Sequence, residues 1–80
     1  MLVLIMDEGY ILSNKFRRVI FDGLMSGEND IDMIAKKHRI IPNVAKKIID
    51  DLISGGIIEK KGIKYILTKE GEKLAENIRG

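Results

Sequence analysis

Met33-Ile34-Ala35-Lys36-Lys37-His38-Arg39-Ile40-Ile41-Pro42-Asn43-Val44-Ala45-Lys46-Lys47-Ile48-Ile49 is the stretch on which the fold turns. It carries Lys36, Lys37, Arg39, Lys46 and Lys47 and no acidic residue, whereas the whole chain nets only +2. Its middle is a helix break. Lys36 and Lys37 close one helix, where cations suit the macrodipole. His38 to Ile41 form a tight connector, and Pro42 can occupy the first turn of the next helix, which needs no amide there. A local surplus of cations around a helix break is the electrostatic footprint of a surface that meets phosphates. The competing account is a solvated face whose lysines maintain solubility, so the flanking sequence has to decide.

Upstream, Asn29 or Asp30 can cap the short helix over about 31–38, with Ile31, Ile34 and Ala35 as its apolar contacts. Before it, Ser13 or Asn14 can cap a helix running to about Met25. Phe16, Val19, Ile20 and Leu24 recur there at helical spacing, and Ser26-Gly27 ends it. Residues 2–6 and 10–12 are apolar runs on either side of Asp7-Glu8-Gly9, consistent with a strand or small hairpin. Downstream, the helix begun at Pro42 should reach Ser54, with Val44, Ala45, Ile48, Leu52 and Ile53 inward, and Gly55-Gly56 as its stop. Two strand-like runs, Ile57 to Lys61 and Lys64 to Thr68, flank Gly62-Ile63 as a hairpin. Thr68 then caps a last helix, with Glu70 and Glu72 in its first turn and Leu74, Ala75 and Ile78 on one face.

Eighty residues make one domain, spanning 1–80. Its expected parts are an N-terminal strand or hairpin (1–12), a three-helix core (13–56), a ribbon (57–68) and a C-terminal helix (69–80). So short a chain buries only about 60% of its unfolded surface, so the core must be dense. The absence of cysteine excludes disulfides and thiolate metal sites. Leu2 to Met6 is too short to span a bilayer and is not framed as a signal peptide, which makes a cytoplasmic protein without a membrane partner the expectation. His38 is the only histidine and has basic neighbours. Asp50 and Asp51 diverge by about 100° on a helix, and Ser54-Gly55-Gly56 lacks the continuation of a phosphate-binding loop. Nothing here points to an enzyme, a metal, a cofactor or a small-molecule substrate.

The order helix, short helix, tight turn, helix, two-stranded ribbon, helix is that of a winged helix-turn-helix, an α+β and mainly α fold. Ile34-Ala35-Lys36-Lys37 resembles the second-helix motif of bacterial and archaeal winged-helix regulators. Val44…Ile48…Leu52…Gly56-Ile57-Ile58 is similar to their run from the recognition helix into the wing. Tyr65-Ile66-Leu67-Thr68-Lys69-Glu70-Gly71-Glu72-Lys73-Leu74 resembles their Y-x-L-T-x-x-G-x-x-L after the wing. The resemblance covers about 13–78. It implies a three-helix core whose third helix enters a major groove and whose wing reaches the backbone or minor groove. The superfamily also contains protein-interaction modules, so the fold alone does not decide the function.

On the third helix Asn43, Lys46, Lys47 and Asp50 cluster opposite Ala45, Ile48 and Leu52. Asn can pair bidentately with adenine, and Lys can reach guanine or a phosphate. With Lys36, Lys37 and Arg39 before the helix, and Lys60, Lys61 and Lys64 around the hairpin tip, they form the candidate contacts to double-stranded DNA. Lysines on an edge strand also prevent aggregation, which is the competing account of the wing cluster. Lys15, Arg17 and Arg18 form a third cationic group. The third helix lacks Arg, and Asp50 and Asp51 follow one turn after its lysines, so a modest binder is expected. A homodimer is expected too, through the N-terminal run or the Leu74/Ile78 face, because two half-sites multiply affinity. Two functions remain: a DNA-binding transcriptional regulator, or an interaction module within a nucleic-acid-handling complex.

Overall fold

A computed structural model describes residues 7–79. They form α1 (Glu8–Leu12), α2 (Lys15–Met25), α3 (Ile31–Lys37), α4 (Pro42–Ser54), β1 (Ile58–Lys61), β2 (Lys64–Leu67) and α5 (Lys69–Arg79). The two strands make one antiparallel ribbon.

Local chemistry sets most of these boundaries. Asn14 Oδ1 accepts from the Phe16 and Arg17 amides at the start of α2, and Asp30 accepts from the Met33 amide at the start of α3. These are capping bonds of the kind that contribute about 1 kcal/mol each. Pro42 opens α4, where Ile41 offers no side-chain cap. Helices α2, α3 and α4 all end in the same six-residue hydrogen-bond pattern. Glu28 N–H donates to Gly23 O, Ile40 N–H to Ala35 O, and Ile57 N–H to Leu52 O. Each satisfies a carbonyl that the helix leaves open, and each requires a left-handed residue just before it. Those residues are Gly27, Arg39 and Gly56.

The core joins α2, α3, α4, the root of β1 and α5 through Ile20, Phe21, Ile34, Ile48, Leu52, Ile58 and Leu74. Each such side chain contributes roughly 1.5–3 kcal/mol when fully buried. In α4 the buried side is Ala45, Ile48, Ile49 and Leu52. Ile53, expected inward, is instead 39% exposed. The apolar face of α4 is wider than one contact needs, and the approach of its neighbours selected Ile49 as the second isoleucine to bury. In α2, similarly, Phe21 is buried and Phe16 is exposed.

The N-terminal part differs from expectation. Residues 10–12 belong to helix α1 and not to a hairpin arm. Asp7 Oδ1 accepts from the Tyr10 amide and starts the helix, and Ile11 is buried in the core. Arg17 then fastens α1 to α2: its guanidinium donates to Tyr10 O at 2.5 Å and lies 3.9 Å from the centre of the Tyr10 ring. The expected strand over 2–6 lies outside the described residues.

Candidate nucleic-acid interface

Along α4, after Pro42 at its first position, the exposed positions are Asn43, Lys46, Lys47, Asp50, Ile53 and Ser54. Their spacing of three and four keeps them on one stripe, opposite the buried Ala45, Ile48, Ile49 and Leu52. Asn43, Lys46 and Lys47 therefore stand together on the first half of the helix. Asp50 shares their stripe, one turn on, while Asp51 is half-buried and off it.

The connector before α4 is built around Arg39, whose φ of 55° is the only positive value at a non-glycine residue among those described. That conformation lets Arg39 N–H donate to Lys36 O and Ile40 N–H to Ala35 O, at 3.3 and 2.8 Å. Ile40 is thereby turned inward and buried, while Arg39 remains exposed. On α3, Lys36 is exposed, but Lys37 Nζ lies 3.4 Å from Glu28 Oε1. Among the described residues that is the one ion pair within bonding distance. Lys36, Arg39, Lys46, Lys47, Lys60, Lys61 and Lys64 retain uncompensated charge at that range.

The wing pairs Ile58 with Leu67, Glu59 with Ile66, Lys60 with Tyr65, and Lys61 with Lys64. Residues opposite one another share a face of the ribbon, so Lys61 and Lys64 stand side by side with Glu59 and Ile66. Lys60 alternates to the other face, that of the buried Ile58 and half-buried Leu67. Two like charges placed opposite destabilise a bare ribbon, so the Lys61–Lys64 pair does not stabilise the wing. Gly62 has a φ of 64° and supplies the left-handed first position that a two-residue hairpin needs.

Two contacts fix the wing to the body. Tyr65 N–H donates to Asn29 O in the α2–α3 loop at 3.1 Å. Thr68 joins the start of α5 to the end of α4: its hydroxyl lies 2.5 Å from Gly56 O and accepts from Gly71 N–H at 3.1 Å. A Cβ at Gly71 would stand 2.1 Å from Ile57 O, so only glycine lets α5 press this close to the junction. The T-x-x-G spacing thus sets where the wing leaves α4. These positioning residues carry no charge; Thr68 is legible in the sequence as a helix cap, but its reach to Gly56 O and the close approach at Gly71 are not.

Of the candidate contacts, Asn43, Lys46 and Lys47 are brought together on α4, and Lys61 and Lys64 on the wing. Lys60 is on the other ribbon face and Lys37 is engaged by Glu28. Arg17, from the third cationic group, is occupied by Tyr10, so its place near a helix N-terminus has an internal cause. A solvent-open groove of about 560 Å³ between the end of α2, β2 and α5 is lined by Glu28, Glu72 and Glu76 against the single Arg79. None of the candidate cations lines it. Among the described residues no three His, Cys, Asp or Glu side chains come together as a metal site would require. No described helix is long and apolar enough to cross a membrane.

A family model described as winged helix-turn-helix matches residues 17–80. The chain belongs to the winged helix-turn-helix family. In the family's terms α3 and α4 are the helix-turn-helix, α4 is the recognition helix, and the β1–β2 ribbon is the wing. Comparison with curated proteins and with solved structures found no match.

Proposed function

We propose that the protein is a DNA-binding transcriptional regulator that lays α4 in a major groove and sets its wing lysines on the backbone. One observation carries this reading. The exposed stripe of α4 begins Asn43, Lys46, Lys47, without an ion pair within 4.0 Å among the described residues. An α-helix fits a major groove about 12 Å wide, and the first half of a recognition helix is the part that meets base edges. Asn43 is the candidate for adenine. Lys46 and Lys47 serve guanine or phosphate, and Lys36, Arg39, Lys61 and Lys64 serve phosphates. Lys37 and Lys60 contribute less, the first because Glu28 competes for it. Asp50 lowers affinity and restricts how far along the helix DNA can sit. A second copy on a second half-site completes the regulator.

Binding to genomic fragments across a salt series tests this. Each lost phosphate contact should lower the slope of log K against log salt by about 0.9, close to an eightfold loss at 0.1 M salt. Lys46→Ala with Lys47→Ala, and Lys61→Ala with Lys64→Ala, should each remove up to two contacts. Unchanged slopes in both double variants would sink the proposal. Sedimentation with and without an operator fragment reads the second copy.

The other reading, a protein-docking module, is favoured by the apolar side chains around the same helix. Ile41 is 65% exposed at its start, Met33 62% on α3, and Ile53 39% near its end. Negligible DNA binding at physiological salt, with capture of a partner abolished by Ile41→Ser, would select it.

A further inference from the structure

Ile63 is the most exposed large hydrophobic residue among those described, at 89%. It occupies the second place of the two-residue connection between Lys61 and Lys64, after Gly62. The turn asks for glycine in the first place and sets no requirement for a β-branched aliphatic residue in the second. Nor does the core: Ile63 is absent from both the buried cluster and the partly buried side chains packed on it. The fold therefore gives no reason for an isoleucine at the outermost point of the wing.

Its neighbours supply one. Lys61 and Lys64 are Cα partners, so two cations bracket one apolar tip. Cations so placed meet the phosphates on the two sides of a groove, and whatever lies between them is directed at its floor. The minor groove is about 6 Å wide, suited to a narrow hairpin tip. Proteins that enter it insert Ile, Leu, Met, Phe or Pro between base pairs, unstack the step and bend the duplex. Pyrimidine–purine steps yield most easily.

We infer that Ile63 is an apolar wedge, carried into the minor groove between Lys61 and Lys64, that partly unstacks a pyrimidine–purine step and bends the DNA. This rests on the DNA-binding reading and adds a contact which that reading does not require. Charge reading and wedge insertion separate cleanly, because an apolar wedge releases no counterions.

The test uses the full chain and a duplex of about 20 base pairs with 2-aminopurine at a central TA step, end-labelled for energy transfer. The unsubstituted protein should raise 2-aminopurine fluorescence and bring the duplex ends together. Ile63→Ala should bind with the same salt slope and up to about tenfold lower affinity, yet lose both signals. Ile63→Leu should keep them. Thermal unfolding of both variants should match that of the unsubstituted chain, since Ile63 packs on nothing in the core. If the unsubstituted chain binds and Ile63→Ala gives the same fluorescence and the same end-to-end distance, the wedge is refuted while the regulator stands. If the unsubstituted chain binds no duplex even at low salt, both fall together.

Discussion

Helices α3 and α4 end in the same hydrogen-bond pattern, yet one places Arg39 and the other Gly56 at the left-handed position, with φ of 55° and 75°. At the end of α4 glycine is what the backbone asks for, and everything around it is structural. Ile57 N–H returns to Leu52 O, Thr68 reaches Gly56 O, and Gly71 lets α5 approach. At the end of α3 the backbone asks for glycine equally and does not have it. An exposed cation stands there instead, one turn before the recognition helix. A residue that costs stability where a better one exists marks a position shaped by something other than folding. The end of α4 is a joint, and on the DNA-binding proposal the end of α3 is a contact surface.

The largest expected effect belongs to the joint. Gly71→Ala forces a methyl group to 2.1 Å from Ile57 O, a backbone atom that cannot swing away. Overpacking against backbone should cost about 3 kcal/mol or more, and the melting temperature should fall by roughly 15 °C or more. A variant that melts like the parent would show that the junction is not closely packed. Thr68→Val comes next. It leaves Gly71 N–H without its acceptor and removes the donor to Gly56 O, for about 1–2 kcal/mol by denaturant unfolding.

The comparison is sharpest where the two ends exchange residues. Gly56→Ala should destabilise by about 1 kcal/mol, whereas Arg39→Gly should stabilise by up to about 1 kcal/mol. Arg39→Gly should at the same time weaken DNA binding by about one phosphate contact, so that stability and affinity move in opposite directions. If Arg39→Gly leaves affinity intact, the turn is not a contact surface. The smallest effect should come from Lys37→Met. Its pair with Glu28 is 65% and 43% exposed, and such pairs contribute about 0–1 kcal/mol. A large loss there would move Lys37 from the surface to the architecture.

Signals carried within a few residues were legible before any coordinates. Ser13 or Asn14, Asn29 or Asp30, Pro42 and Thr68 announce helix starts because a cap or a missing amide acts on the next turn alone, and the structure selects Asn14 and Asp30 from the two pairs. Gly27, Gly56 and Gly62 announce stops and the hairpin because left-handed backbone is a property of one residue. The exposed stripe of Asn43, Lys46 and Lys47 followed from helical periodicity once Pro42 had set the start. Residues 10–12 belong to α1 yet read as part of a strand or small hairpin, because apolar runs of three to five residues carry no period. The helical state of α1 also depends on Arg17, seven residues away from the Tyr10 carbonyl it binds.

The amino-acid order alone determined the succession of elements from α2 onward, the glycine turns and the place of the cations along α4, since each depends on backbone preference over one or two turns. Only the folded structure decided between residues of equal local standing. It buried Ile49 in place of Ile53 and Phe21 in place of Phe16, engaged Lys37 with Glu28 and left Lys36 open, and put Lys61 beside Lys64 with Lys60 on the other face. Those choices depend on which surfaces meet across the core and on strand register, and contacts between distant segments have no signature in a local pattern.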